Sequence, residues 1–155
     1  MHTAYDLKFV TEPVSDELVD HLYEQGFDVN ISGYDGLDFI STTVQGNDPI
    51  EATKCIACAL EKQGVHVLRL DLGLVNQSAI ANLCRVSREA VSQWVKASKG
   101  VAAFPKPYAS INGPLWVWGD VNEWLRRTAK PYFEDASFLS SAQNDLFNVL
   151  WKESH

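Results

Sequence analysis

No run of apolar residues approaches the roughly eighteen that span a bilayer. The opening Met1-His2-Thr3-Ala4-Tyr5-Asp6 also lacks the basic, then apolar, then small-residue order of a secretory leader. The expectation is a cytoplasmic chain with no membrane partner. Cysteine is scarce and odd in number: Cys55, Cys58 and Cys84 make no disulfide framework. Cys55-Ile56-Ala57-Cys58 spells C-x-x-C. A redox pair, however, wants its first sulfur at a helix N-terminus, and a zinc site needs further ligands at suitable spacing. Here the pair lies well inside a helical run over 49–63, and His2, His21, His66 and His155 are scattered. Buried structural cysteine is the expectation, because free Cys commonly behaves as a small core residue. A Gly-rich phosphate loop, a nucleophile elbow and a metal-spaced cluster are all missing as well. The chain is therefore expected to be no enzyme, with no cofactor and no metal.

What is present belongs to a folded protein. The 155 residues are 46% hydrophobic, enough for one ordinary domain or two small ones. The net charge of -7 is unevenly spread. Residues 1–74 carry 13 Asp and Glu against Lys8, Lys54, Lys62 and Arg69, a balance of -9. Residues 75–130 carry Glu89, Asp120 and Glu123 against eight Lys and Arg, a balance of +5, and residues 131–155 return to -3. A basic module between acidic ones can gather phosphates locally. The acidic remainder disfavours indiscriminate attraction over about one Debye length, ~8 to 10 Å.

Over residues 1–74 the hydrophobic period switches in the order strand, helix, strand, strand, helix, strand. Residues 5–11 alternate; Pro13 and Ser15 open a helix carrying Leu18, Val19, Leu22 and Tyr23, which Gly26 stops. Phe27, Val29 and Ile31 alternate up to the turn 32–36, and Leu37, Phe39 and residues 41–44 read as the hairpin partner. Asp48-Pro49 has the form of an N-cap with proline at the first helical position, and that helix ends at Gly64. Residues 65–72 close the unit as a strand. This order matches the split βαβ of a ferredoxin-like α/β sandwich, a fold that hosts many functions. A scaffold or dimerisation surface is the first expectation for this half, and small-molecule sensing the second. Its acidity also suits a basic protein partner. The domain boundary is expected at residues 73–75.

The segment 76–127 is the most informative. Asn76 caps a helix whose Ile80, Leu83 and Cys84 form an apolar stripe, with Ala81 allowing close packing. A hinge at Arg85-Val86-Ser87 follows. Ser87 caps a second helix in which Val91, Trp94 and Val95 turn inward while Arg88, Glu89, Ser92, Gln93 and Lys96 share the solvent side. These are groove-reading residue types. Arg suits guanine, Gln suits adenine, Ser takes a phosphate or a base edge, and Glu accepts from cytosine or favours the helix N-terminus. Lys96 and Lys99, later in the run, suit phosphate. Beyond Gly100 two extended runs, 104–111 and 114–118, flank Asn112-Gly113, a strong hairpin dipeptide, so that Lys106, Ser110 and Asn112 become candidates for backbone or minor-groove contact. Asp120 is expected to cap the last helix of the module. Trp94, Trp116, Trp118 and Trp124, four of the chain's five tryptophans, fall in this small unit and are expected to supply its core.

Residues 75–127 resemble the winged helix-turn-helix group that includes MerR-type regulators, AlpA-type prophage regulators and phage excisionases. The carrying residues are Ile80-Ala81-Asn82-Leu83, Val86-Ser87-Arg88-Glu89-Ala90-Val91, Trp94, Phe104-Pro105-Lys106-Pro107 and the run from Leu115 through Trp116, Gly119 and Asp120 to Trp124. The resemblance implies that the second helix enters the major groove through Ser87, Arg88, Ser92, Gln93 and Lys96, and that the hairpin side touches backbone through Lys99, Lys106 and Ser110. Two positions depart from the group's pattern. Arg85 stands where the group usually has glycine, so a left-handed turn there would cost about 1 kcal/mol, and Ala79 replaces a glutamate that would complete a capping box. The front half looks like a partner domain found in some actinobacterial or phage-encoded relatives.

The expected fold is therefore α+β: a ferredoxin-like βαββαβ sandwich over 1–74, a winged helix-turn-helix over 75–130 and a helix over 131–155. In that last helix Leu139, Ala142, Leu146 and Val149 keep three-four spacing, with Glu134 and Asp135 at its positive end, for docking or dimerisation. The expected function is site-specific binding of double-stranded DNA as a homodimeric transcriptional regulator. Two alternatives stand beside it: an excisionase-like architectural recombination factor that bends DNA, and a protein-binding adaptor of antirepressor or antitoxin type.

Overall fold

The computed structural model describes residues 3–34, 36–96, 103–128, 130 and 137–155. The chain is mixed α+β and divides into two compact units. One combines Met1–Asp71 with Asp135–His155, and the other is Leu72–Glu134.

In the first unit the elements run β1 (Thr3–Thr11), α1 (Asp16–Glu24), β2 (Asn30–Tyr34), β3 (Leu37–Gly46), α2 (Pro49–Lys62) and β4 (Val67–Leu70). The sheet order is β2-β3-β1-β4, and every neighbouring pair is antiparallel. β1 and β3 pair over their full length, from Thr3 opposite Gly46 to Thr11 opposite Asp38. That register sends Leu7, Phe9 and Ile40 into one core with Leu22, Ala57 and Leu60 of the helices. The opposite face at the same strands carries Asp6 bonded by the Thr43 hydroxyl and Lys8 lying 4.8 Å from the Phe39 ring centre. The helices start where side chains replace missing partners of the first turn. Ser15 accepts from the Leu18 amide, and Asp48 accepts from the amides of Ile50 and Glu51, with Pro49 at the first position.

The last helix, α6 (Ser141–Ser154), belongs to this first unit. Ser140 and Gln143 close it with a reciprocal capping box; Glu134 and Asp135, expected to favour that end, lie outside the described residues. The apolar stripe read from the sequence is the wrong one for docking. Asn144, Phe147 and Trp151 are buried, whereas Ala142, Leu146 and Val149 are exposed. Of the expected set only Leu139, ahead of the helix, enters the core.

The same helix closes an edge of the sheet. Asn148 accepts from the Leu70 amide at 2.8 Å and donates to the Leu70 carbonyl at 3.1 Å, and the Trp151 indole donates to the Val67 carbonyl at 2.9 Å. Glu61 of α2 takes the Val67 amide at 2.7 Å. Side chains thus stand in for a fifth strand along β4, an edge otherwise open to pairing with another chain. Where β4 ends, Ser137 continues along β1, accepting from the Asp6 amide and donating to the Ala4 carbonyl.

The second unit runs β5 (Leu74–Val75), α3 (Gln77–Cys84), α4 (Arg88–Lys96), β6 (Ala109–Ser110), β7 (Pro114–Val117) and α5 (Trp118–Arg127). Its three strands lie in the order β5-β7-β6, all antiparallel. β5 was expected only as a linker; it pairs with β7 through Leu74 opposite Val117 and Val75 opposite Trp116. The extended run expected over 104–111 contributes only Ala109 and Ser110 to the sheet. α5 begins at Trp118 behind Val117, which makes no side-chain cap, so Asp120 lies in the first turn and is not its N-cap. The Trp118 amide instead donates to the Gly73 carbonyl at 2.9 Å. No helix among the described residues is long and apolar enough to cross a membrane.

Candidate nucleic-acid interface

The second unit is organised around a tight turn between α3 and α4. Asn76 accepts from the Ala79 amide to open α3, and α3 ends at Arg85 with φ 57° and ψ 44°, in the left-handed region. There the Val86 amide reaches the Ala81 carbonyl at 3.0 Å and the Arg85 amide reaches the Asn82 carbonyl at 3.3 Å. This pair of bonds is the Schellman ending that usually carries glycine at the left-handed position. The turn has kept that backbone despite the arginine. Two residues later the Ser87 hydroxyl accepts from the Ala90 amide at 3.1 Å and starts α4.

α4 is anchored by Val91, which is fully buried, with Trp94 and Val95 half-buried. Trp94 meets Trp124 of α5 at 5.8 Å between ring centres, and Phe104 makes edge contacts with both Trp124 at 4.8 Å and Trp116 at 5.5 Å. The Trp116 indole donates to the Pro105 carbonyl. Trp116, Trp118 and Trp124 are buried. Trp94, Phe104, Trp116, Trp118 and Trp124 thus supply five large rings to the apolar volume of a small unit, and stacking on bases is not open to the buried ones.

With α4 held by that face, about 3.6 residues per turn puts Glu89, Gln93 and Lys96 on the opposite side and Ser92 on the flank. Arg88, Glu89, Gln93 and Lys96 are exposed, and Ser92 is half-buried. Nine residues of helix rise about 13 Å, comparable with the ~12 Å width of the B-DNA major groove. The row presents two cations, one carboxylate, one amide and one hydroxyl. It is chemically varied and only weakly positive, a surface that favours reading base edges over collecting phosphates. Glu89 falls in the first helical turn, where a carboxylate is favoured by the helix dipole, and it is also central to the outward row.

Ser110 of the β6–β7 hairpin is exposed, and so is Lys106 in the non-strand stretch ahead of β6. Asn112 and Gly113 both have positive φ, as that dipeptide is suited to adopt, and the tip is tied internally. The Ser110 hydroxyl and the Ile111 amide both donate to the Gly113 carbonyl. Ile111, not singled out by its residue type, stands 72% exposed at this tip. Lys99 lies outside the described residues. On α5, Arg126 is engaged with Glu123 one turn earlier, and Lys130 lies 4.7 Å from the Trp124 ring centre, while Arg127 is exposed.

The cysteines divide by position. Cys84 is buried at the end of α3, and burial pushes its thiol above the ordinary value. Cys58 is half-buried on α2 against the first unit's core, but Cys55 is exposed, which corrects the expectation of a buried pair. On a helix, residues three apart are offset by about 60° around the axis, and this pair straddles the rim of the buried face. Among the described residues no three His, Cys, Asp or Glu side chains converge as metal ligands would. Comparisons with protein-family models, with curated proteins and with solved structures gave no match to this chain.

Proposed function

We propose that the second unit is a winged helix-turn-helix and that the protein binds double-stranded DNA at specific sites, as a regulator of transcription. In this reading α3 is the supporting helix and α4 the recognition helix, and the β6–β7 hairpin is the wing. The observation that carries it is the pairing of a rigidly anchored α4 with an outward row, Arg88, Glu89, Ser92, Gln93 and Lys96, whose chemistry suits base edges. Support also comes from the left-handed Arg85 turn, which retains the tight hinge such a helix pair requires. Arg88 and Gln93 are the residues proposed to discriminate bases, Ser87, Ser92 and Lys96 to fix register against phosphates, and Lys106 and Ser110 to touch backbone beside the groove. The first unit is proposed as a ferredoxin-like sandwich, a reading supported by its βαββαβ order and its strand order β2-β3-β1-β4.

The test is competition between a preferred duplex and a scrambled one, for the wild type and for Arg88→Ala/Gln93→Ala. Each bidentate pair discriminates by roughly 1 to 3 kcal/mol. The double variant should bind both duplexes alike while keeping its unfolding transition. Retained preference in a folded variant contradicts the recognition-helix assignment. A protein that binds no duplex even at low salt supports the adaptor reading, in which the same surface meets a protein.

A further inference from the structure

The buried face of α6 leaves a second apolar face turned outward. Leu146, Val149 and Leu150 are 50%, 55% and 36% exposed, and Ala142 is exposed beside them. Isolated surface leucines need no explanation, but a contiguous apolar strip on one helix marks an interaction surface. Ala142, Leu146 and Val149 follow each other at spacings of four and three, diametrically opposite Phe147 and Asn144. That is the spacing of a two-helix seam over a single heptad, and the next position in it is Glu153.

The residues flanking the seam identify its occupant. In heptad terms Ala142 and Val149 take d positions and Leu146 an a position. Asp145 and Lys152 then both take g, while Gln143 and Leu150 both take e. When two identical helices pack antiparallel about a two-fold axis, g meets g and e meets e. With Leu146 facing Val149 of the second copy, Asp145, which also has an interaction within its own chain, falls beside the second copy's Lys152, Ala142 meets its Glu153, and the symmetry repeats both contacts. In a parallel alignment Asp145 would face Leu150 and this complementarity would be lost. The Asp145–Lys152 complementarity is therefore met in one orientation only, and there it is repeated by the two-fold as an isologous interface requires.

We infer that α6 joins a second copy of this chain through an antiparallel, two-fold pairing of the Ala142–Leu146–Val149 seam, flanked by Asp145–Lys152 ion pairs between the copies. The inference does not depend on DNA binding. The seam is short. A helix pair of this length falls below the area of standard stable interfaces, about 1,200 Å² and more, so the dimer is one that dissociates on dilution.

Sedimentation velocity on the full-length protein across a concentration series tests this. The wild type should shift from monomer to dimer with rising concentration, and Leu146→Asp, at an already exposed site, should remain monomeric with an unchanged melting temperature. Asp145→Lys should raise the dissociation constant about tenfold or more by opposing two like-charged pairs, and Asp145→Lys/Lys152→Asp should return it to within about threefold of the wild type, since exposed pairs contribute roughly 1 kcal/mol or less each. A wild type that stays monomeric at about 100 µM overturns the inference, as does a dimer indifferent to Leu146→Asp. A dimer lost on Leu146→Asp but not rescued by the charge swap overturns the antiparallel register.

Discussion

Replacing Arg85 by glycine should stabilise the second unit, and the expected size follows from the backbone. Arg85 sits at φ 57° and ψ 44°, where the Cβ of an L-residue crowds the following carbonyl at a cost of about 1 to 2 kcal/mol. Glycine removes that cost but gives the unfolded chain more freedom, which takes back roughly 0.4 to 1 kcal/mol. The net gain is about 0.5 to 1 kcal/mol, or roughly 2 to 8 °C in the melting of a unit this small. Arg85 is exposed, so few native contacts are lost with its side chain. Arg85→Ala serves as the reference because it keeps the Cβ and removes the guanidinium. Urea unfolding followed by tryptophan fluorescence reports mainly on the second unit, since Trp94, Trp116, Trp118 and Trp124 lie there and Trp151 alone lies in the first. Arg85→Gly should exceed both Arg85→Ala and the wild type in midpoint with an unchanged slope. A glycine variant less stable than the alanine variant would refute the left-handed turn, and with it the angle at which α4 is presented.

Three further outcomes are expected. Asn148→Leu should leave the Leu70 amide and carbonyl unpaired on a half-covered edge, costing about 1 to 3 kcal/mol per group that water cannot reach, and hydrogen exchange at the Leu70 amide should quicken while the amides of α4 keep their rates. If DNA is bound, Lys96 and Lys106 give about two phosphate contacts per subunit, so the logarithm of affinity should fall with the logarithm of salt at a slope near -2 per subunit; Lys106→Ala should flatten it by about 1. For Cys84 the folded thiol titrates above its unfolded value of 9.0. Its contribution is fully present below that pH and is lost as pH rises from there through the raised folded value; Cys84→Ala should remove this alkaline loss in urea unfolding.

Local chemistry made much of the fold legible. Ser15, Asp48, Asn76 and Ser87 each mark a helix start because a side-chain oxygen followed by an apolar period has few other uses, and each accepts from an amide two or three residues on. Asn112-Gly113 foretold the hairpin for the same reason, as both residues tolerate positive φ. The departure at Arg85 was legible too, and the outcome is that the turn bears the strain. What stayed hidden depends on distant partners. α6 is apolar on two faces, so its spacing alone could not say that Phe147 and Trp151 face inward and Leu146 and Val149 outward. The choice rests on Asn148 meeting Leu70 and Trp151 meeting Val67, 78 and 84 residues away in the chain. The start of α5 was misplaced because the Trp118 amide is satisfied by Gly73 from β5's approach, with no capping side chain to betray it. In the candidate interface the outward row of α4 was readable because Val91 and Trp94 fix its inward face. The exposed Ile111 was not, since an isoleucine in an extended run ordinarily signals burial.

The central claim is that α4 reads duplex DNA. It is tested most directly by selecting bound sequences from a random duplex library at about 0.1 M salt, where sequence-independent phosphate attraction is already reduced. The account predicts enrichment of a defined motif, present as two inverted copies if the protein binds as a two-fold dimer. Recovery of unenriched sequences by a folded protein would contradict it.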